Sequence, residues 1–381
     1  MSPSIHRFRE ALELDGGQVL PSFDLAYETY GNLSPSRDNV IVACHALSGD
    51  AHAGGATTGG AASAVDGLGA GQRGLAGVGW WDGMIGPGKA FDTDRYQVIC
   101  INVLGSCRGS TGPRSIDPRT GRRYDTDFPI VTVGDMVRAQ KRLIDALGIR
   151  GIAATSGGSL GGMQALEWAV RYPDFVRSCI PIASTARLSP MGLAWSSIGR
   201  NAIMADPRWR GGRYPDDDPP DAGLAVARMV GHVTYLSSIS IAEKFGRRLQ
   251  NRSDYSYSFD ADFEVESYLR YQGDKFVKRF DANSYLYLSR ALSYFDLAAQ
   301  WGKGSLSAAM ARAPASFLVL SFSSDWLYPP ADSLALAEAI REAGGSVESR
   351  VIDSNYGHDA FLVEEGRQTA LIRDFLERQD A

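Results

Sequence analysis

The sequence predicts an α/β protein: a mostly parallel sheet with helices on both faces, interrupted by a helical insertion. Three features carry that expectation. Short unbroken apolar runs such as Val40-Ile41-Val42 alternate with segments of helical period, the pattern of strands buried on both faces and joined by crossover helices. One such run, Gly151 to Thr155, leads through a glycine-rich turn straight into a helix. Between Ser189 and Gly302 the alternation stops, and only helical patterns and turns are found before strands resume.

Taken in order, residues 11 to 31 read as two strands. Leu12 and Leu14 alternate with acidic neighbours, Gly16-Gly17 supplies a hairpin turn, and Leu20, Phe23, Leu25 and Tyr27 follow. Asn39 to Ala43 is a buried strand that ends in the small-residue loop Cys44 to Asp50. Residues 52 to 79, rich in Gly and Ala and without period, read as a long loop. Trp80 to Gly88 reads as a packed loop whose aromatics either line a cavity or simply pack. Tyr96 to Val103 is the next strand, followed by the loop Leu104 to Pro113.

Thr132 opens a helix with Met136, Val137, Leu143, Ile144 and Leu147 on one face and Gly148 closing it. Past the glycine-rich turn, Met163, Leu166 and Val170 mark a helix, and Val176 to Ala183 a strand. Within the insertion, Leu224 to Ser237 and Phe276 to Leu297 have helical patterns, and Pro215 to Pro220 is a solvated loop. Strands return at Ala315 to Ser321 and Ser346 to Ile352, with a helix over Ala331 to Ala343 between them. A helix within Ala360 to Gln379 closes the chain. The organisation expected is a core over 1–186, a helical lid over 187–305, and the rest of the core over 306–381.

Bulk properties narrow the function classes. The 381 residues are 44% hydrophobic and 22% charged, ordinary for a globular protein with a sizeable core. A net charge of −5 gives no general electrostatic case for nucleic acid or anionic membrane. No apolar run approaches the roughly 20 residues that span a bilayer. The first ten residues, with His6, Arg7, Arg9 and Glu10, do not read as a secretory leader. Cys44, Cys100, Cys107 and Cys179 are scattered without a C-x-x-C pair. Free thiols in a cytoplasmic protein, and no metal site, are the expectation.

The chemistry is concentrated in Gly157-Gly158-Ser159-Leu160-Gly161. G-x-S-x-G between a strand and a helix is a nucleophile elbow, the signature of the α/β-hydrolase fold. The turn is so tight that a Cβ at either flanking glycine would strike its neighbours. In this fold the acid and then the histidine come later in the chain. Asp325 stands just after one late strand and His358 just after the next, both at carboxyl ends where open α/β sheets place their sites. His358 would take the proton of Ser159, and Asp325 would fix the imidazole. The backbone N–H groups of Leu47, after the first buried strand, and Leu160 are the expected oxyanion donors. His45 precedes the nucleophile and reads as structural. Cys107 has no histidine nearby in sequence and reads as a lining residue. Triad logic ends at an acyl-Ser159: water gives a hydrolase, a substrate hydroxyl a transferase.

A longer set of segments resembles the homoserine O-acyltransferases of this fold. It comprises Tyr27 to Gly31, Cys44 to Asp50, Trp80 to Gly88, Asn102 to Pro113, Asp135 to Gln140, Gly157 to Trp168, Ala227 to His232, and Asp325 and His358. The resemblance implies acyl transfer from acyl-CoA to the hydroxyl of L-homoserine, by a ping-pong route through acyl-Ser159. It implies no cofactor beyond acetyl-CoA as co-substrate, no metal, and a homodimer. An amino-acid acceptor needs a cation for its carboxylate and an anion for its ammonium. By family position these resemble Arg228 and Asp359, with Tyr235 facing the same cavity. Without the resemblance the first reads as a surface arginine and the second as a loop cap. Leu327, two residues after Asp325, resembles acetyl-CoA users, where arginine resembles succinyl-CoA users. The wording Trp195 to Arg200 departs from the family's usual acceptor side, so L-serine stays open as acceptor beside L-homoserine. Succinyl transfer and a plain esterase or thioesterase are the other readings, and a catalytically silent receptor is disfavoured by the intact triad.

Overall fold

The structure, a computed structural model, describes residues 3–55 and 77–380. The expected Gly/Ala loop lies outside the described residues from 56 to 76. Its two ends are held together, the Gly79 N–H donating to the Gly55 carbonyl at 2.9 Å and the Trp81 N–H to the Ala53 carbonyl at 2.8 Å.

The strands are β1 (Ser4–Phe8), β2 (Leu12–Glu13), β3 (Val19–Leu20), β4 (Phe23–Tyr30), β5 (Val40–Cys44), β6 (Gln97–Ile101), β7 (Ile152–Gly158), β8 (Val176–Ile182), β9 (Ser316–Phe322) and β10 (Val347–Ile352). Among the described residues the main sheet runs β1-β4-β6-β5-β7-β8-β9-β10. Strand β4 is antiparallel to both its neighbours, and every later pairing is parallel.

Two details differ from expectation. Strand β1 is an edge strand of mostly polar residues, so no apolar run marks it. The second strand expected over Leu20 to Tyr27 is split. Leu20 pairs with Leu12 in the small β2–β3 hairpin around Gly17 (φ 77°), and β4 starts at Phe23. Pro21 stands at the break, where it can donate nothing to a ladder.

The helices are α1 (Val133–Ala146), α2 (Leu160–Arg171), α3 (Pro190–Ala205), α4 (Asp221–Tyr235), α5 (Ser238–Lys244), α6 (Glu264–Val277), α7 (Ala282–Tyr294), α8 (Leu297–Trp301), α9 (Leu306–Met310), α10 (Pro330–Glu342), α11 (Ala360–Val363) and α12 (Glu365–Gln379). Thr132 caps α1 in a capping box with Asp135, and Gly148 (φ 68°) follows its end. Helices α3 to α9 lie between β8 and β9. The helix expected over Phe276 to Leu297 is broken at Lys278 to Asp281. Asp281 caps α7 by accepting the Ser284 N–H at 2.7 Å, a start signal inside what reads as one continuous helix.

The sheet separates two apolar layers, and successive residues alternate between them. Val40, Val42 and Cys44 join the side packed by α1, α2 and α10, while Ile41 and Ala43 join the side packed by Trp81, Phe91 and α12. Strands β5 and β7 are buried throughout, so their carboxyl ends are rigid platforms. Among the described residues no single helix is long and apolar enough to cross a membrane.

Candidate active site

Ser159 joins β7 to α2 with φ 59° and ψ −124°, a positive φ that a serine adopts only under constraint. The constraint is visible. The Ser159 N–H donates to the carbonyls of Ile182 (3.1 Å) and Ala183 (3.2 Å), and its own carbonyl accepts the Ser184 hydroxyl at 2.8 Å. The flanking glycines are sterically required. A Cβ at Gly157 would strike the Cys44 carbonyl and lie 2.6 Å from the Gly161 carbonyl carbon. One at Gly161 would strike the same Cys44 carbonyl. Close approach of β5, β7 and α2 thus leaves the Ser159 side chain facing outward from the sheet.

Asp325 follows β9 and is 3% exposed; His358, in the short turn after β10, is 2% exposed. His358 Nδ1 lies 2.8 Å from Asp325 Oδ2. Asp325 Oδ1 accepts the N–H groups of Leu327 (3.0 Å) and Tyr328 (2.9 Å). A carboxylate held on both oxygens fixes the Nδ1–H tautomer and leaves Nε2 unprotonated. The turn before His358 is pinned by the insertion: Gly357 (φ 69°) backs onto the Leu236–Ser237 peptide, and the Trp326 indole donates to the Leu236 carbonyl at 2.9 Å.

Ser159 and His358 line one cavity of about 600 Å³. Its wall includes Leu47, on the turn Ala46 to Gly49, closed by the Gly49 N–H donating to the Ala46 carbonyl at 3.0 Å. The Leu47 N–H takes no acceptor among the described residues. Leu160, first residue of α2, has no intrahelical acceptor for its own N–H. His45 lies fully buried beneath this turn. Its Nε2 accepts the Val103 N–H at 3.2 Å, so Nδ1 carries the proton and donates to the Ala46 carbonyl at 2.8 Å. Burial pushes its pKa down, consistent with that neutral form. His45 therefore supports the loop and cannot offer a lone pair to Ser159.

Helix α4 presents Arg228, His232 and Tyr235 to the same cavity at spacings of four and three. The Arg228 guanidinium lies over the rings of Phe276 (4.7 Å) and Tyr235 (5.6 Å) and makes no ion pair with any described residue. Asp359, next to His358, likewise has no hydrogen-bond partner among the described residues. Burial raises its pKa against the opposing pull of His358 and Arg228. A fixed cation and a fixed anion thus face one cavity, neither in an ion pair with a described residue. His232 is held neutral: burial and then the charges of Arg228, Lys244 and Arg279 push it down to about 2.

Two residues stand elsewhere than expected. Leu327 packs against the core and is not part of the cavity wall; its N–H serves Asp325. Cys107 borders a neighbouring charged cavity with Arg114 and Asp281, and burial pushes its thiol up to about 11, which leaves it unreactive. Of the tryptophan pair, Trp80 lines the active cavity and Trp81 is core, stacked on it at 4.9 Å. Among the described residues no group of three metal-ligating side chains is close enough to hold an ion.

Comparison with known proteins agrees with this geometry. The family model described as the alpha/beta hydrolase fold matches residues 40–365. A homoserine O-acetyltransferase of Solidesulfovibrio magneticus is 51% identical over 96% of this chain and 89% of its own. The chain belongs to the homoserine O-acetyltransferase family. Among solved structures, homoserine O-acetyltransferase from Bacillus anthracis superposes with a TM-score of 0.87 at 29% identity, covering 99% of this chain and 98% of that one. Esterase E22 superposes almost as well, with a TM-score of 0.86 at 28% identity over 98% and 99% of the two chains. The scaffold alone therefore does not separate transfer from hydrolysis; the residues of the cavity have to.

Sequence reasoning missed Arg279, Lys244, His232 and Asp50 as cavity residues. His232 stood inside a segment of the family resemblance, one turn from Arg228, and could have been placed by that spacing. Arg279 had no signal, because it falls at the break in what reads as a continuous helix.

Proposed function

We propose that this chain transfers the acetyl group of acetyl-CoA to the hydroxyl of L-homoserine, releasing CoA and O-acetyl-L-homoserine, a step of methionine biosynthesis. The observation that carries the reading is Arg228 and Asp359, neither in an ion pair with a described residue, in the cavity of Ser159 and His358. A bare ester substrate needs neither charge, whereas an amino acid needs both, one for its carboxylate and one for its ammonium. Homology to homoserine O-acetyltransferases at about half identity supports the same acceptor.

The proposed steps follow from triad chemistry at these residues. Ser159 Oγ attacks the thioester carbon while His358 Nε2 takes its proton. Charge on the carbonyl oxygen is met by the N–H groups of Leu47 and Leu160. The intermediate collapses, CoA leaves with the proton from His358, and acetyl-Ser159 remains. Homoserine then binds with its carboxylate on Arg228 and its ammonium on Asp359. Its hydroxyl gives a proton to His358 and attacks the acetyl carbon, and Ser159 recovers its proton as product leaves. Tyr235, its ring 5.9 Å from that of His358, closes the side of the site. No resident cofactor enters this scheme; acetyl-CoA is a co-substrate. The relatives, named homoserine O-acetyltransferases, support acetyl over succinyl as donor.

Two wider features belong to the reading. Helices α3 and α4 leave Met191 (58%), Ile198 (47%) and Val226 (45%) exposed, an apolar face that supports a homodimer built through the insertion. The four cysteines are free thiols, which supports a reducing compartment, the cytoplasm.

The decisive experiment measures CoA release from acetyl-CoA and succinyl-CoA with L-homoserine, L-serine or no acceptor, with Ser159→Ala as control. Release from acetyl-CoA that depends on homoserine supports the proposal. A preference for serine moves the acceptor, and equal release without acceptor makes the protein a thioesterase, the reading that the likeness to esterase E22 favours.

A further inference from the structure

We infer that Arg279, carried by the insertion, is a positioning residue for the oxyanion site: it fixes the Ala46 to Gly49 turn so that the Leu47 N–H faces Ser159. This rests on acyl chemistry at Ser159, as proposed above.

Arg279 lies in the break between α6 and α7. Its Nη1 donates to the Ser48 carbonyl at 2.8 Å, one residue past the expected oxyanion donor. From the other side His45 Nδ1 donates to the Ala46 carbonyl at 2.8 Å. The turn is thus gripped by the core through its first residue and by the insertion through its third. Between them Leu47 keeps its N–H free.

The surroundings of Arg279 are not those of a structural ion pair. No carboxylate lies within ion-pair distance among the described residues, and Asp50, the acid that acts on it electrostatically, is engaged with Arg108 at 3.4 Å. Arg228 and Arg279 stand over the same Phe276 ring, at 4.7 and 5.1 Å, and Arg108 donates to the Arg279 carbonyl at 3.2 Å. Three guanidinium groups are crowded together in an acidic protein. Burial, Arg228 and Arg108 push Arg279 down to about 9, so the placement opposes stability. Local rules are broken in this way mainly where function requires it.

The consequence is a link between insertion and nucleophile site. Displacing a reacting group or its donors by about 1 Å costs on the order of 100-fold in rate. The insertion would thereby contribute to acyl-enzyme formation as well as to acceptor binding.

The test is a double-mutant cycle between Arg279→Met and Leu47→Pro. Leu47 is the second residue of its turn, a position where proline is favoured, so Leu47→Pro removes the N–H and keeps the turn. Two rates are read: kcat for CoA release from acetyl-CoA with homoserine, and covalent labelling of Ser159 by a fluorophosphonate. Labelling needs neither acyl-CoA nor acceptor, so it tests Arg279 even if the proposed substrates are wrong. Arg279→Met alone should slow both about 10- to 100-fold, with KM for both substrates changed by no more than about twofold. In the Leu47→Pro background the same substitution should cost less than about threefold. Equal costs in the two backgrounds would overturn the inference, as would a raised KM with unchanged kcat, which would make Arg279 an anion-binding group. Arg279→Gln, which keeps N–H donors on a shorter stem, is read by the same cycle if the methionine variant does not fold.

Discussion

Asp325 gives its Oδ1 to two backbone N–H groups, those of Leu327 and Tyr328, and this leaves Oδ2 to hold His358 Nδ1 at 2.8 Å. The imidazole is therefore oriented by a carboxylate that cannot itself turn. Asp325→Asn keeps the shape but offers an N–H to Nδ1, which reverses the tautomer. We expect CoA release to fall by about 10⁴ at pH 7 with little change in melting temperature. Steady-state assay and thermal unfolding of the same preparation check both halves.

Arg228 and Asp359 separate binding from acylation. Arg228→Lys keeps the charge and loses the planar fork. We expect KM for homoserine to rise about 10- to 100-fold while the pre-steady-state burst of CoA from acetyl-CoA is unchanged. A burst that falls in parallel would place Arg228 in the acylation step instead.

Asp359 has the opposite sign for stability and for function. Burial raises its pKa, so the folded protein holds that proton more tightly than the unfolded chain does. The stabilisation from this proton is present at low pH and is lost as pH rises through the folded pKa, and at pH 7 the buried charge is a cost. Asp359→Asn should therefore melt higher than the parent at pH 7 and lose about 100-fold in kcat/KM for homoserine. Calorimetry beside the coupled assay decides.

His232 supplies a pH signature. Its folded pKa is pushed down to about 2, below the unfolded value near 6.5. Below pH 6.5 the unfolded chain binds a proton that the folded protein refuses, so stability falls as pH falls, by up to about 1.4 kcal/mol per pH unit for this one group. His232→Phe should flatten the dependence by that amount between pH 6 and pH 4. Urea titrations at three pH values measure it, and an unchanged slope would show that His232 protonates in the folded state.

The apolar face of α3 predicts association. Ile198→Glu, on the exposed side of that helix, should convert a dimer to monomers at micromolar concentration, as read by sedimentation, while the triad and its cavity are left intact.

Much of the site was legible before any coordinates. The elbow announces itself because three backbones converge on it and only glycine fits at Gly157 and Gly161. Asp325 is legible because it follows the buried, apolar β9, and His358 because it comes after the next strand, in the order the fold requires. What was hidden had no apolar signature. Strand β1 is polar because it is an edge, β4 reads as fused with the hairpin across Pro21, and the α6–α7 break sits inside a continuous helical pattern, marked by the Asp281 cap. Arg279 was invisible for the same reason. Leu327 was assigned by position in the chain, whereas its side chain turns to the core and its backbone is what meets the acid. Sequence spacing marks which elements meet; it does not say which way a lone side chain turns.

The insertion leaves the core after β8 and closes on itself, Arg187 bridging Asp296 and the Leu297 N–H donating to the Ala186 carbonyl at 3.0 Å. The excursion therefore starts and finishes almost at one point on an undivided core. Such a segment behaves like an exchangeable cassette: another could be grafted between the same two ends to alter the acceptor while leaving the serine, its acid and its base as they stand. The Arg279 grip on Ser48 sets the condition for that exchange. A graft that brings a new acceptor pocket but no guanidinium at this place should inherit a slow nucleophile along with its new specificity.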